Sequence, residues 1–343
     1  MIVKEALKKI SQRQNLSCTE MATVMRVVMS GEASAAQIGG LLMGLAVKGE
    51  TVDEIQGAVS VMRELVTPVQ VETQGLVDTC GTGGDGAKTF NISTAAAFVV
   101  AAAGGRVAKH GNRAVSSRSG SADVLEAAGV CLQLKPLQLA QCLQTLGVVF
   151  LFAPLHHGAL RHAVQARADL GVRTLFNLLG PLTNPARAPN QVMGVYERRW
   201  QRPLAEVLGR LGSRHVLLVH AEDGMDEISI STATHIVEWR DGQITESLFD
   251  PRSLGVALAD RSELEVLSVE DSLRLLKQSL QANGGAPGDI VALNAGAALY
   301  ACGRSESLSA GVRLAQATQA SGQALDKLHA LVELSQAYGR SDV

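Results

Sequence analysis

The 343-residue chain has only five cysteines, and no two of them stand in a Cys-x-x-Cys spacing. Cys18, Cys80, Cys131, Cys142 and Cys302 are odd in number and scattered, so no disulfide framework is expected. They read as reduced, mostly buried thiols of a cytoplasmic protein. Charge of neither sign is in surplus: Lys plus Arg number 31 and Asp plus Glu 33, a formal net charge of −2. That removes the electrostatic case for a nucleic-acid binder, which needs a basic surface. Long apolar runs are missing too. The most apolar, residues 95–103, is far too short to span a bilayer, and Met1 to Lys9 reads as an amphipathic start rather than a signal peptide. Low-complexity segments, long linkers and a Ser-His-Asp or Cys-His arrangement are also absent.

What is present is organised in two parts. Residues 1–67 read as four helices. Ser17 with Glu20, and Thr51 with Glu54, have the spacing of capping boxes, and Met21, Val24, Met25, Val28 and Met29 recur at helical intervals. Gly31, Gly49 and Pro68 punctuate the segment. The methionine-rich stripe suits a core or a subunit interface. From Leu76 onward short apolar runs alternate with helices. Candidate strands are 76–79, 106–108, 148–152, 191–195 and 215–220, with helices at 122–128 and 203–211 among those between them. This alternation predicts a largely parallel sheet covered by helices on both faces. Asp241-Gly242 between two apolar runs predicts a hairpin, and the chain returns to helices beyond Val269.

The chemistry concentrates between residues 78 and 126. Gly81-Thr82-Gly83-Gly84-Asp85-Gly86, then Thr89-Phe90-Asn91-Ile92-Ser93-Thr94, Lys109-His110-Gly111-Asn112-Arg113 and Ser116-Ser117-Arg118-Ser119-Gly120-Ser121 follow one another as polar loops. Glycines let backbone N–H groups approach an anion closely. Ser93 and Thr94 precede the apolar run from Ala95, so their hydroxyls and amides should stand at a positive helix end. Lys109, His110 and Arg113 add cationic charge. A single glycine loop is ordinarily just a turn; several anion-friendly loops in succession point to a ligand with more than one phosphate. The G-x-G-x-x-G spacing of Gly81 to Gly86 also invites a dinucleotide reading. It fails on context, because six residues separate the last glycine from the expected helix and Lys109-His110 stand where an acid should end the second strand. His156, His157 and His162 have poor spacing for a metal face and read as packing and hydrogen-bonding groups.

These motifs, with Arg173-Thr174-Leu175-Phe176-Asn177-Leu178-Leu179-Gly180-Pro181-Leu182-Thr183-Asn184-Pro185 and with Asp226-Glu227 beyond a predicted strand, resemble the anthranilate phosphoribosyltransferase family over nearly the whole chain. The resemblance implies a small helical domain at 1–70, joined by about 170–190, and an α/β catalytic domain at 71–343. It implies transfer of the phosphoribosyl group from 5-phosphoribosyl 1-pyrophosphate to the amine of anthranilate, the second step from chorismate to tryptophan. By the same resemblance, phosphoribosyl pyrophosphate meets Gly81, Gly84, Asp85, Thr89, Asn91, Ile92, Ser93, Thr94, Lys109, His110, Gly111, Asn112, Arg113, Ala114, Val115, Ser116, Ser117 and Ser121. Anthranilate meets Gly81, Asn112 and Arg167, and Lys109, Asn112 and Arg167 position and neutralise. Two Mg2+ per subunit fall to Ser93, Asp226 and Glu227, and a homodimer forms through the helical domain, with neither nucleic acid nor membrane as partner. Where the family often has Pro-Ala-Met after the histidine at His157, this chain has Gly158-Ala159-Leu160. A pyrimidine-nucleoside phosphorylase would share the fold but has no need of the Asp226-Glu227 pair. A non-catalytic nucleic-acid-binding relative would need a basic surface.

Overall fold

The computed structural model describes residues 2–114 and 118–340. Four helices open the chain: α1 (Ile2–Ser11), α2 (Cys18–Met29), α3 (Ala35–Lys48) and α4 (Val52–Leu65). Both expected capping boxes form, and Ser34 with Gln37 makes a third at the start of α3. In each, a side-chain oxygen satisfies an amide that the first helical turn leaves unpaired. Met21, Met25, Met29 and Met62 are all at most 3% exposed and lie inside this bundle. The methionine stripe is therefore core rather than a subunit interface, its unbranched side chains filling the gaps between helices within one chain. Beneath it Glu54 accepts from Leu16 N at 2.9 Å, Thr51 N at 2.8 Å and Lys48 Nζ at 2.9 Å, and both side chains of the Lys48–Glu54 pair are buried.

The second part continues β1 (Leu76–Gly81), α5 (Ile92–Ala102), β2 (Arg106–Gly111), α6 (Ser121–Ala127), α7 (Pro136–Leu146) and β3 (Val148–Phe152). Three short helices follow, α8 (Ala153–His156), α9 (Arg161–Leu170) and α10 (Leu175–Leu179), before β4 (Asn190–Gly194), α11 (Gln201–Arg210) and β5 (His215–Ala221). A hairpin, β6 (Thr234–Arg240) with β7 (Gln243–Phe249), and four helices, α12 (Val269–Ser279), α13 (Gly285–Ala301), α14 (Leu308–Ala320) and α15 (Gln323–Arg340), complete the described chain. The sheet has seven strands in the order β3-β2-β1-β4-β5-β6-β7, the first five parallel and the last two antiparallel. Asp241 and Gly242 turn the hairpin at φ 48° and 85°, the left-handed pair that matches the twist of its strands.

Alternation along the inner strands sends side chains to two cores. Val192, Leu217 and Val219 face a core built with α5, α13 and α15, while Met193, Val216 and Leu218 face the helical bundle and α11. Ala163 and Ala166 of α9 and Leu175, Phe176, Leu178 and Leu179 of α10 belong to that second core, so the 161–182 stretch packs with the first four helices. The strands also run further than their apolar residues alone suggest. Parallel pairing carries β1 through Gly81 against β4 and β2 through Gly111 against β3. Gly81 and Lys109-His110-Gly111 are thus strand ends, not loop residues. Helix α5 likewise begins at Ile92 rather than Ala95, placing Ser93 and Thr94 within its first turn. Five residues, not six, then separate Gly86 from the helix, and the glycines still do not open it.

Candidate active site

Strand β1 is the point where the sheet order reverses: the next strands in sequence, β2 and β3, lie on one side of it and β4 and β5 on the other. In such sheets a crevice opens beyond the carboxyl ends on either side of the reversal. The glycine loop leaves β1 there. Thr82 N donates to Gly194 O at 2.9 Å and Tyr196 N to Thr82 Oγ1 at 3.0 Å, tying the loop to the end of β4. Gly83, Gly84 and Gly86 have φ of 65°, 78° and 73°, the left-handed region that a Cβ disfavours.

From the other side comes the turn after β5. Gly224 and Asp223 shape it, with Met225 N donating to Asp223 Oδ1 at 3.1 Å and Ser229 Oγ to Asp223 Oδ2 at 2.8 Å. Asn294, a lone amide in the apolar α13, holds the far end by accepting from Ile228 N at 2.9 Å and donating to Ile228 O at 3.0 Å. The result drives Asp226 against two strand ends. A Cβ on Gly81 would lie 2.4 Å from Asp226 Oδ2, and one on Gly194 1.6 Å from Asp226 O. Asp226 Oδ2 accepts from Gly83 N at 2.9 Å, and Asp226 N reaches Asp85 Oδ2 at 3.4 Å.

Glu227 turns toward α5, where Oε1 accepts from Ser93 N at 3.2 Å. The buried Lys109 donates to Ser93 Oγ at 3.1 Å and to Thr79 O. Burial, reinforced by Asp85, pushes the Asp226 carboxyl up to about 7; burial and the neighbouring Asp226 push Glu227 up to about 8, against the opposing charge of Lys109. Burial lowers the Lys109 ammonium, while Asp78, Glu227 and Asp226 pull it back up. Two buried carboxyls whose affinity for protons is raised, set beside an anion-friendly loop, suit a cation between them and an anionic ligand.

That suitability can be tested against the donor set. Asp226 and Glu227 supply hard carboxylate oxygens and Ser93 a hydroxyl, the ligands magnesium prefers. Among the described residues no three His, Cys, Asp or Glu side chains form a ready-made cage. Magnesium ordinarily keeps several waters and takes phosphate oxygens among its ligands. The phosphate side has an opening of its own: Thr94 Oγ1 is buried in the first turn of α5 without a hydrogen-bond partner. The residues fit the group.

Other expected residues are placed differently. Asn91, the residue before α5, gives that helix no side-chain cap. Its Oδ1 accepts from Ser119 Oγ at 2.9 Å and Ser272 Oγ at 2.8 Å, and its Nδ2 donates to Ser119 O at 3.1 Å. The Asn91 side chain therefore ties the second loop to residues 118–120 and α12. Thr89 bridges to Glu265 as an isolated strand pair, and Ile92 is buried in the core. Arg113 is paired with Asp123 at 3.1 Å and Glu126 at 2.7 Å, while Asp123 Oδ2 accepts from Ala114 N and Gly120 N, each at 2.9 Å. Asn112 is exposed, and its backbone oxygen accepts from Ser121 Oγ at 3.3 Å. Val115, Ser116 and Ser117 lie outside the described residues.

Arg167 is on α9, half-buried, 5.3 Å over the Phe176 ring, with no hydrogen bond or ion pair among the described residues. Burial lowers its guanidinium. His110 and His157 meet ring to ring, Nε2 to Nε2 at 3.2 Å, both held below the usual histidine range by burial, while His156 Nδ1 meets Thr67 O at 2.9 Å. His157 Nδ1 has no hydrogen-bond partner among the described residues. One contributor was missed outside the strands. Arg173 donates to Gly84 O and stacks 4.3 Å over Tyr196, fastening the glycine loop to the segment ahead of α10. Its place at the head of the long Arg173–Pro185 motif was the available signal.

With this geometry in view, the likeness to known proteins is specific. Residues 4–66 match the glycosyl transferase family helical bundle domain, and residues 73–325 its a/b domain. The anthranilate phosphoribosyltransferase of Thioalkalivibrio sulfidiphilus is 57% identical over 98% of this chain and 99% of its own. That of Methylococcus capsulatus is 55% identical over 99% and 100%. The crystal structure of the Thermus thermophilus enzyme superposes with a TM-score of 0.91 at 43% identity, covering 96% of this chain and 99% of that one. The Saccharomyces cerevisiae enzyme in complex with PRPP and Mg shares the fold, with a TM-score of 0.89 at 24% identity over 98% of each chain. The chain belongs to the anthranilate phosphoribosyltransferase family.

Proposed function

We propose that the crevice beyond β1, β4 and β5 carries out the family's reaction. The phosphoribosyl group of 5-phosphoribosyl 1-pyrophosphate passes to the amine of anthranilate, giving N-(5-phosphoribosyl)anthranilate and pyrophosphate, the second step from chorismate to tryptophan. The observation that carries this reading is the meeting of Asp226 and Glu227 with the glycine loop and the uncapped start of α5. Breaking the bond at ribose C1 builds positive charge on the sugar and negative charge on the departing pyrophosphate. The protein must neutralise the second and hold the nucleophile over the first. Amides of residues 84–86 and the α5 terminus, with Thr94 Oγ1, suit the phosphates. Asp226, Glu227 and Ser93 would hold Mg2+, which supplies cationic charge to the leaving group when bound. Two ions per subunit suit the separation of roles between the carboxylates and Ser93.

Lys109 keeps the carboxylate cluster compensated from below. Arg167, unpaired by any carboxylate among the described residues, is free to take the anthranilate carboxylate as a bidentate fork, and Asn112 to orient the ring. The amine is that of an aniline, a free base at neutral pH, so no strong general base is required. The helical part at 1–70, joined by about 170–190, would carry the anthranilate side and the part at 71–343 the phosphoribosyl side. Exposed Ile2 and Val47, on α1 and α3, support a homodimer through the helical part. No helix of the described residues is long and apolar enough to cross a membrane, which accords with a cytoplasmic enzyme. The test is loss of anthranilate fluorescence on adding phosphoribosyl pyrophosphate and Mg2+. A purified, folded chain that leaves the fluorescence unchanged refutes the assignment.

A further inference from the structure

At the opposite edge of the sheet, where the parallel strands begin, a cleft of about 780 Å³ lies between the last turn of α4 and the segments leading into β4 and β5. Three arginines line it: Arg63 from α4, Arg187 just ahead of β4 and Arg214 just ahead of β5. Arg63 is fixed by donating from Nε to Leu182 O at 2.8 Å and from Nη1 to Leu211 O at 3.2 Å. Both acceptors are neutral carbonyls, so its charge stays uncompensated. Arg187 and Arg214 make no side-chain hydrogen bond or ion pair among the described residues. The two acids on the cleft wall are already engaged: both oxygens of Glu64 accept from Arg26 Nη2, at 2.9 and 2.8 Å, and Glu72 Oε1 accepts from Gln74 N at 2.9 Å.

Bringing like charges together in a concave, partly buried place costs free energy, and a bound anion removes the cost. Burial and the proximity of Arg187 both lower the Arg63 guanidinium, the signature of cations facing each other without an anion. We propose that this cleft binds a compact small molecule bearing two or more negative charges, of the phosphate-ester or pyrophosphate class, at a site separate from the catalytic crevice. The neighbouring cleft of about 540 Å³ shares Gln74 and Arg214 and adds Arg106, Arg240 and Arg304 to its wall. There Arg240 is already matched by Asp241 at 3.7 Å and bonded to Tyr300 OH at 3.1 Å. A ligand in the first cleft touches the helical bundle through Arg63 and the sheet through Arg187 and Arg214, so its occupancy stiffens the joint between them.

The experiment is calorimetric titration of the full chain with inorganic pyrophosphate in the absence of Mg2+, beside the Arg187→Ala/Arg214→Ala and Arg187→Lys/Arg214→Lys variants. Both positions are exposed and remote from the catalytic crevice, so turnover and the Michaelis constants should stay unchanged. A charge-assisted contact is worth about tenfold, so the alanine pair should lose about a hundredfold in affinity at one site per chain, and the lysine pair should recover part of it. An unmodified chain with no pyrophosphate site beyond the catalytic one overturns the proposal. So does an isotherm that the alanine pair leaves unaltered.

Discussion

If Asp226 and Glu227 form the cation site, binding magnesium there should expel protons. Burial and the closeness of Asp226, Glu227 and Asp85 raise both carboxyls well above the usual carboxylate range, so near neutral pH the ligand-free pair holds on the order of one proton between them. A bound divalent cation requires both carboxylates ionised, so about that many protons leave on binding. As pH rises the ligand-free pair ionises by itself, and the release should diminish. Calorimetry of preformed magnesium–phosphoribosyl pyrophosphate in buffers of different ionisation enthalpy measures the released protons directly. Asp226→Asn with Glu227→Gln keeps the shape of the site but removes both titrating groups, so its release at pH 7 should fall close to the ligand's own contribution, together with a large loss of turnover. The sign also fixes a stability trend. Both folded-state values lie above the unfolded ones, so their contribution is present below about pH 4 and is lost as pH rises through 7 to 8. Relative to the Asn/Gln variant, the ligand-free chain should weaken over that window. Equal release from chain and variant at pH 7 refutes the pairing of these carboxylates as the cation site.

The remaining predictions concern single positions. Arg167→Ala should raise the Michaelis constant for anthranilate by about ten- to a hundredfold, the worth of a bidentate charged contact of about 1.5–3 kcal/mol, while that for phosphoribosyl pyrophosphate moves little; equal weakening of both would assign the arginine to the fold instead. Gly84→Val combines a φ of 78° with a branched Cβ beside the Arg173 guanidinium, so phosphoribosyl pyrophosphate binding should weaken sharply by calorimetry in a folded variant. Glu54→Ala strips the buried Lys48 ammonium of its partner and Leu16 N of its acceptor, and chemical denaturation should show a loss of about 3–5 kcal/mol.

Much of the architecture was legible because its signals are local. Ser17-x-x-Glu20 and Thr51-x-x-Glu54 announce helix starts, and Asp241-Gly242 announces a left-handed turn, through atoms within a few residues of one another. Strand ends were harder. Gly81 and Lys109 to Gly111 have loop-like side chains, and only pairing with β4 and β3, set from far along the chain, makes them strand. The start of α5 failed for a related reason: Ile92-Ser93-Thr94 has no capping side chain of its own, since Asn91 spends its amide on Ser119 and Ser272, 28 and 181 residues away. The methionine stripe of α2 was ambiguous because a buried face and an interface face have the same period, and only the packing of α2 against α4 decides between them. Arg173 and Asn294 escaped because their roles lie in backbone groups distant in sequence, the Gly84 carbonyl for the first and the Ile228 amide and carbonyl for the second.

The uncapped start of α5 joins these local failures to the chemistry. A helix whose first turn is capped by its own side chain has already satisfied the amides that could meet an anion. Here Asn91 faces away, toward Ser119 and α12, and the only acid that reaches the turn among the described residues is Glu227, bonded to Ser93 N. That carboxyl sits there at a cost, pushed upward by burial and by Asp226 beside it. If Glu227 serves as a cation ligand as proposed, the amide of Ser93 that it holds lies at the same positive helix end proposed for phosphate. Gly81 and Gly194 leave room for the Asp226–Glu227 turn, since a Cβ on Gly194 would strike the Asp226 backbone and one on Gly81 the Asp226 carboxyl. The chain thus departs from good local helix chemistry at one point, and that point is where its anionic substrate is expected to bind.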